Sequence, residues 1–128
     1  MQIHQSAEDY LETILMLNQR MGRVRSIDVV NELGYTKASV SIAMKKLREN
    51  GYIAVDGEGN LTLLEPGRKI AERIYSRHRL LTHFFVQLGV DEETAAEDAC
   101  KAEHILSEQT LEKIREYALL HDAQDSVK

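Results

Sequence analysis

The chain has 128 residues, of which 43% are hydrophobic and 29% are charged, so it is long enough for one domain or two small ones and short for a complex enzyme. No run of apolar residues is long enough to cross a membrane, and the first residues do not resemble a signal peptide, which predicts a cytoplasmic protein without a membrane span. Its single cysteine, Cys100, cannot form an internal disulfide, which leaves packing, metal binding, redox sensing or a link between chains.

The net charge of −5 is unevenly distributed along the chain. Residues 1–90 carry a net +2, whereas residues 91–128 carry −7. Within the first part, residues 35–51 carry +3. Because exposed charges further apart than about 10 Å are largely screened, this local excess is compatible with contacts to DNA phosphates. The acidic C-terminal part is then expected to form a metal site or a subunit interface.

The first 51 residues predict three helices. Apolar residues at helical spacing indicate an amphipathic helix over residues 7–21. A short helix follows, from a cap at Ser26 to Leu33, with Ile27, Val30 and Leu33 facing inward. A third begins at Thr36 or Lys37 and ends near Asn50–Gly51, with Val40, Met44 (or Ala43) and Leu47 on its buried side. Two short helices joined by a turn that contains glycine are typical of a helix-turn-helix.

Residues 52–64 predict a β-hairpin directly after the third helix. Two short runs of β-prone residues, 52–55 and 61–64, flank the polar, glycine-rich turn Asp56–Asn60. A hairpin in this position is the wing of a winged helix. The only proline, Pro66, suits the first turn of another helix.

The second half predicts three helices. The first extends from Pro66 to about Leu88, Asp91 caps the helix that contains Cys100, and Ser107 caps a last helix through about Leu120. The predicted fold class is therefore mainly α with a small β-hairpin. A winged helix-turn-helix over residues 1–65 is followed by a helical domain over residues 66–128. Small residues along one of its helices favour close approach of a second copy, which predicts a homodimer through the C-terminal helices.

Six side chains are candidate metal ligands. If one helix continues through residues 100–104, it presents a thiol, a carboxylate and an imidazole on one face. An ion that bound these three groups together with candidate ligands near residues 9–12 and at residue 78 would join distant parts of the chain. Such ligands suit Fe²⁺, Co²⁺, Ni²⁺, Zn²⁺ or Mn²⁺ rather than Ca²⁺ or Mg²⁺. Taken singly, each residue also fits a solvated helix face or ordinary packing. The candidates are Asp9, Glu12, His78, Cys100, Glu103 and His104.

Several motifs carry a family resemblance over nearly the whole chain. With these motifs in this order, the chain resembles the diphtheria-toxin-repressor family of metal-dependent regulators, in particular the shorter manganese-transport-regulator branch without an SH3-like domain. The motifs are Glu8–Glu12, Ser39–Ser41, Gly51–Ile53, Leu61–Gly67, Arg77–Leu81 and Cys100–His104.

The resemblance implies a primary metal site made by Asp9, Cys100, Glu103 and His104. In the manganese branch, positions matching Glu12 and His78 build a second, adjacent site. That branch has glutamate where Cys100 stands, which leaves open whether one or two ions bind here. The iron-type branch has cysteine at that position but methionine in place of Asp9. We therefore expect Fe²⁺, with Mn²⁺ close behind, and binding of Co²⁺, Ni²⁺ or Zn²⁺ in vitro.

In the iron-type branch an ancillary metal site uses a histidine and a glutamate. These positions fall on Ala96 and Thr82 here, so that site is expected to be absent.

The same resemblance implies contacts with a double-stranded DNA operator. Residues early in the third helix face the bases, and later lysines touch phosphate or solvent. One arginine before the second helix contacts the DNA backbone. Seven residues are candidates: Arg25, Thr36, Lys37, Ser39, Ser41, Lys45 and Lys46.

The expected function is that of a metal-dependent, DNA-binding transcriptional regulator that senses Fe²⁺ or Mn²⁺ and controls metal-uptake and homeostasis genes. The family's usual mode implies a repressor rather than an activator, and no enzymatic activity is expected. The alternative is a winged-helix regulator that senses redox state through Cys100. That alternative leaves Asp9, Glu12 and His104 without a role.

Overall fold

The computed structural model describes the backbone of residues 5–127 and the side chains of residues 5–122. The chain forms two compact units, residues 1–73 and residues 74–128. The domain boundary expected after residue 65 stays a prediction. Among the described residues, no helix is both long and apolar enough to cross a bilayer.

Three helices begin the first unit: α1 (Gln5–Met21), α2 (Ser26–Leu33) and α3 (Lys37–Glu49). The start of α3 is fixed by Thr36, whose Oγ1 accepts a hydrogen bond of 3.1 Å from the backbone N–H of Ser39. Each of the three elements lies close to its predicted bounds. The helix-turn-helix prediction is therefore confirmed.

The start and the buried side of α2 differ from the prediction. Arg25, not Ser26, occupies the cap position, and its backbone N–H donates to Oδ2 of Asp28 at 2.9 Å. Val29 is fully buried, whereas Ile27 is 43% exposed. Two residues along a helix are separated by about 200°, so a buried stripe centred on Val29 turns Ile27 toward solvent.

The buried side of α3 agrees with the sequence pattern. Val40, Met44 and Leu47 are all buried, at spacings of four and three residues. This apolar stripe leaves the opposite side of α3 exposed, as a helix that enters a DNA groove requires.

The wing consists of β1 (Ile53–Val55) and β2 (Leu61–Leu63), paired antiparallel with Ile53 opposite Leu63. The backbone N–H of Leu61 also donates to the carbonyl of Val24 at 2.7 Å. The hairpin is therefore joined to the segment that leads into α2.

The turn of the wing is closed by the carboxylate of Asp56. It accepts the backbone N–H groups of Glu58 and Asn60, both at 2.9 Å. These bonds, first among them the one from the Asn60 backbone, hold the pKa of Asp56 below its ordinary value. The Asp56 carboxylate therefore stabilises the turn of the wing through hydrogen bonds within that turn.

A long helix, α4 (Glu65–Gln87), contains the boundary between the units, and Pro66 lies in its first turn as predicted. The second unit continues with α5 (Glu92–Ala102) and α6 (Glu108–Val127). Asp91 caps α5 as expected. The predicted end of the last helix near Leu120 was wrong, because α6 continues to Val127.

A small core holds the second unit together. Its centre consists of Leu81 from α4, Ala99 from α5 and Leu111 from α6, all of them essentially inaccessible to solvent. Partly buried apolar residues pack around this centre: Leu80, Phe85, Ala102, Leu106 and Ile114. The fold class expected from the sequence, a winged helix followed by a helical domain, is confirmed.

Gly67, in the first turn of α4, should tolerate no side chain. A Cβ at this position would lie 2.2 Å from the Tyr52 carbonyl oxygen and 3.3 Å from Cδ2 of Leu11. We expect Gly67→Ala to destabilise the protein by about 1–3 kcal/mol, the usual cost of overpacking a tight interior. Urea unfolding measures this cost.

Gly57→Ala is the matched control, because a Cβ there meets no atom within 4 Å. Equal stability of the two variants would contradict the close approach of Tyr52 to α4.

Candidate metal centre

Glu103 and His104 lie just beyond the end of α5, not inside a continuous helix as the sequence analysis assumed. α5 ends at Ala102, and Glu103 keeps helical dihedral angles with its N–H bonded to the Ala99 carbonyl at 2.9 Å. The next turn tightens through a bond of 3.1 Å from the Ile105 N–H to the Ala102 carbonyl. Ser107 caps α6 only a few residues later, so the segment between the two helices is short.

The Glu103 carboxylate lies between two histidines. Its side chain is 0% exposed, with Oε2 3.0 Å from Nδ1 of His78 and Oε1 3.4 Å from Nε2 of His104. His78 projects from the middle of α4, and the His104 side chain is almost completely buried. The second unit therefore brings three of the six predicted ligands together.

This arrangement fits a divalent cation. A carboxylate removed from water is costly unless its charge is compensated, and the buried Oε1 of Glu103 has no hydrogen-bond donor among the described residues. Ligand atoms of Glu103 lie within 4.8 Å of ligand atoms of each histidine. Carboxylate oxygen with imidazole nitrogen is a donor set typical of Mn²⁺, Fe²⁺ and Zn²⁺.

Two further predicted ligands are located on α1 in the first unit. Asp9 is half-buried and Glu12 is buried, with 6% exposure. Their spacing of three residues places them on neighbouring turns of the helix. Carboxylates are seldom buried without a partner charge, so the burial of Glu12 sets it apart from an ordinary solvated helix face.

Cys100 is placed differently from Glu103. Its residue is exposed on α5, although Glu103 follows only one turn later and is fully buried. Among the described residues, the groups of ligand atoms close enough to share an ion do not include the Cys100 thiol. Cys100 stays a predicted ligand.

One residue at the centre was missed by sequence reasoning. Arg77, next to His78, donates from Nη1 to the carbonyl oxygen of Glu103 at 3.2 Å. In the sequence, Arg77 belongs to the motif Arg77–Leu81, which assigns a possible role to His78 but none to the arginines. No local signal distinguishes Arg77 from Arg79, because the difference lies in a contact 26 residues away.

The candidate DNA-contacting residues are exposed on the first unit. On α3 these are Lys37, Ser39, Ser41, Lys45 and Lys46, all of which lie outside the buried stripe. Thr36 is exposed too, but its O–H donates to Oγ of Ser39 at 2.9 Å. Its hydroxyl is therefore already engaged in capping α3.

Models of two protein families match the chain. The N-terminal DNA-binding domain of iron-dependent repressors matches residues 2–61. Their metal-binding and dimerisation domain matches residues 64–120.

Two curated relatives agree with these matches. An HTH-type transcriptional regulator of Methanocaldococcus jannaschii is 36% identical over 113 residues, which cover 87% of this chain and 90% of that protein. The HTH-type transcriptional regulator MntR of Bacillus subtilis is 33% identical over 123 residues, which cover 96% of this chain and 87% of that protein.

A solved structure of a manganese-dependent transcriptional repressor in complex with manganese superposes with a TM-score of 0.80 at 28% sequence identity. The match covers 88% of this chain and 52% of that one, so the chain spans about half the length of the solved protein.

The winged helix, together with a buried carboxylate between histidines, defines the class of metal-dependent, DNA-binding transcriptional regulators. Within that class the chain belongs to the iron-dependent repressor family, since the two family models together match most of its length. The resemblance found in the sequence is thereby confirmed.

The role of His78 can be separated from that of another histidine on the same helix. His83 also faces a carboxylate, with Nε2 2.9 Å from Oδ1 of Asp122, but it does not contact Glu103 in the described structure. We expect His78→Ala to weaken Co²⁺ or Mn²⁺ binding by about tenfold or more, whereas His83→Ala leaves it unchanged. Calorimetric titration of each variant measures affinity and stoichiometry.

A loss of one ion per subunit in His78→Ala would locate this histidine in a second site. Equal affinities of the two variants would show that the metal does not use His78.

Proposed function

We propose that this regulator senses Fe²⁺ or Mn²⁺ and, with the ion bound, represses genes of metal uptake and homeostasis. The observation that carries the proposal is the fully buried Glu103 between His78 and His104. It lies in the part of the chain that matches a metal-binding and dimerisation domain. We further propose that the protein is not an enzyme and acts in the cytoplasm, where operator DNA is accessible.

The proposed primary site consists of Asp9, Glu103 and His104, with the Cys100 thiol as a candidate fourth ligand whose contribution the Co²⁺ spectrum decides. Glu12 and His78 are proposed as ligands of a second, adjacent ion. The family resemblance supports both sets, and the full burial of Glu103 supports them independently, because a buried carboxylate needs compensating charge. A bound divalent cation supplies this positive charge.

The choice between Fe²⁺ and Mn²⁺ depends on the thiol. A thiolate ligand favours Fe²⁺ and still more Co²⁺, Ni²⁺ and Zn²⁺, whereas carboxylates and imidazoles alone are compatible with Mn²⁺. The exposure of Cys100 supports the harder ion. So does the likeness to a repressor whose solved structure contains manganese.

We propose that the operator-binding form is a homodimer formed through the C-terminal helices. The second unit exposes large apolar side chains, among them Ile105, Leu119 and Leu120, each more than 60% exposed. Exposed apolar residues of this size mark surfaces that associate. A two-fold dimer places two recognition helices in successive major grooves of the operator.

DNA reading is proposed to rest on the start of α3. Lys37, Ser39 and Ser41 face the groove, and Thr36 orients Ser39 through its capping hydrogen bonds. Lys45, Lys46 and Arg25 contact phosphates. Because short hydroxyl side chains discriminate bases weakly, much of the specificity comes from register and DNA shape.

The thiol-based redox alternative has no support. Both family matches and the curated relatives are those of transcriptional regulators, and the matched C-terminal domain is one that binds metal. The redox alternative also leaves the buried carboxylates and His104 without a function.

The proposal predicts that operator binding depends on metal. In a DNA-binding titration, Mn²⁺ or Fe²⁺ should tighten binding of the wild-type protein by about 5–150-fold over chelator, the usual range of allosteric coupling. Asp9→Ala and His104→Ala should each remove most of this gain. Their affinity for DNA in chelator should equal that of wild type, because neither residue belongs to the DNA surface.

Lys37→Ala is the control for the DNA surface. It should weaken DNA binding both with and without metal, whereas the metal-site variants lose only the gain that metal provides. Equal DNA affinity in chelator and in every metal would rule out a metal sensor.

The contribution of Cys100 can be observed directly with Co²⁺. A thiolate ligand adds a sulfur-to-metal charge-transfer band, which Cys100→Ser removes. We expect a weak band or none, with Cys100→Ser binding Co²⁺ nearly as tightly as wild type, since the residue is exposed. An intense band lost in Cys100→Ser, with an affinity loss of about tenfold or more, would make the thiol a ligand and favour Fe²⁺ over Mn²⁺.

A further inference from the structure

Arg77 connects three elements of the second unit. Its side chain projects from α4 and is only 13% exposed. Nη1 donates to the Glu103 carbonyl at the end of α5, and Nη2 forms an ion pair with Oε1 of Glu108 in the first turn of α6. The guanidinium therefore spans the turn that carries Glu103 and His104.

The contact suits the electrostatics of both helix ends. The last carbonyls of a helix have no partner within the helix, and a cation near them is favourable. Arg77 fills this role for α5, where Glu103 is the capping residue. Glu108 carries the complementary charge at the start of α6, where an anion is favourable, and it balances the charge of Arg77.

Glu103 is thus held by two consecutive residues of α4. Arg77 binds its backbone carbonyl at 3.2 Å, and His78 approaches its carboxylate at 3.0 Å. A hydrogen bond to the carbonyl restricts rotation of the turn, and rotation of the turn would redirect both the Glu103 carboxylate and the adjacent His104.

We propose that Arg77 is a positioning residue of the metal centre. By holding the Glu103 carbonyl, it fixes the directions from which Glu103 and His104 present their ligand atoms, and through Glu108 it ties this geometry to the start of α6. The inference rests on the proposed metal function. It adds a residue that touches no ion but determines how well the ligands are arranged.

The test compares four variants of the 128-residue chain by competition between the protein and a chelator for Co²⁺. Arg77→Gln removes the charge and the fork of donors. Arg77→Lys keeps the charge but cannot reach carbonyl and carboxylate together. Arg79→Gln is the matched control, because Arg79 lies two residues away on α4 and contacts the ring of Tyr75, with Cζ 5.9 Å from the ring centre.

We expect Arg77→Gln to weaken Co²⁺ binding by about 10–100-fold, the usual effect of losing a residue that orients metal ligands. The Co²⁺ affinity of Arg77→Lys should lie between that of Arg77→Gln and that of wild type. Arg79→Gln should bind Co²⁺ as tightly as wild type does. The Co²⁺ absorption spectrum should change in Arg77→Gln, since the ligand geometry relaxes. A residue that only stabilised the fold would lower the melting temperature in chelator without changing the spectrum.

Glu108→Gln separates the carbonyl contact from the ion pair. It leaves the bond from Arg77 to Glu103 in place, so its loss of affinity should be smaller than that of Arg77→Gln. An equal loss would assign the effect to the ion pair and overturn the proposal.

Wild-type affinity in Arg77→Gln, or equal losses in Arg77→Gln and Arg79→Gln, would also overturn it. If Arg77→Gln does not fold, Arg77→Lys is judged against Arg79→Gln by the same criterion. If the wild-type protein itself binds no Co²⁺ or Mn²⁺, the proposed metal function fails, which is distinct from failure of the inference about Arg77.

Discussion

Burial of the Glu103 carboxylate is the constraint on which the second unit depends. A carboxylate without water must be compensated by hydrogen bonds or by positive charge. The structure provides a histidine on each side and leaves Oε1 without a donor among the described residues. A divalent cation at this position would supply positive charge beside the buried carboxylate.

The DNA-binding half was largely predictable because its signals are local. The spacing of Val40, Met44 and Leu47 fixed the buried side of α3, and the hydroxyl of Thr36 marked its start. The exception was α2, where Val29 rather than Ile27 is buried. Eight residues contain too few turns to determine which of several apolar side chains face the core. That choice was made by tertiary packing, and the capping pattern of Arg25 and Asp28 was not visible in the periodicity.

For the candidate metal centre, the sequence named His78, Glu103 and His104, which the structure brings together, but it did not predict the geometry of their segment. Helical spacing correctly associated Glu103 with His104, yet it assumed that α5 continued through them. At the end of α5, the Glu103 carbonyl accepts a hydrogen bond from Arg77, a contact that is distant in sequence and that helical spacing does not reveal. For the same reason the spacing of three residues between Cys100 and Glu103 did not give them a common environment, since one is exposed and the other fully buried.

The arrangement of Glu103 and the two histidines limits how metal binding could change the affinity for DNA. An ion shifts a conformational equilibrium only by the difference between its affinities for the two states. If Glu103 and the histidines were arranged equally well in both, metal binding would be tight and yet would carry no signal. Residues that hold the ligands in place therefore matter for regulation only where their contacts differ between the states. The turn between α5 and α6 is short and held by one guanidinium, so a modest change there would alter both ligands at once. By thermodynamic linkage, any preference of the metal-bound form for operator DNA equally raises the affinity of the DNA-bound form for metal.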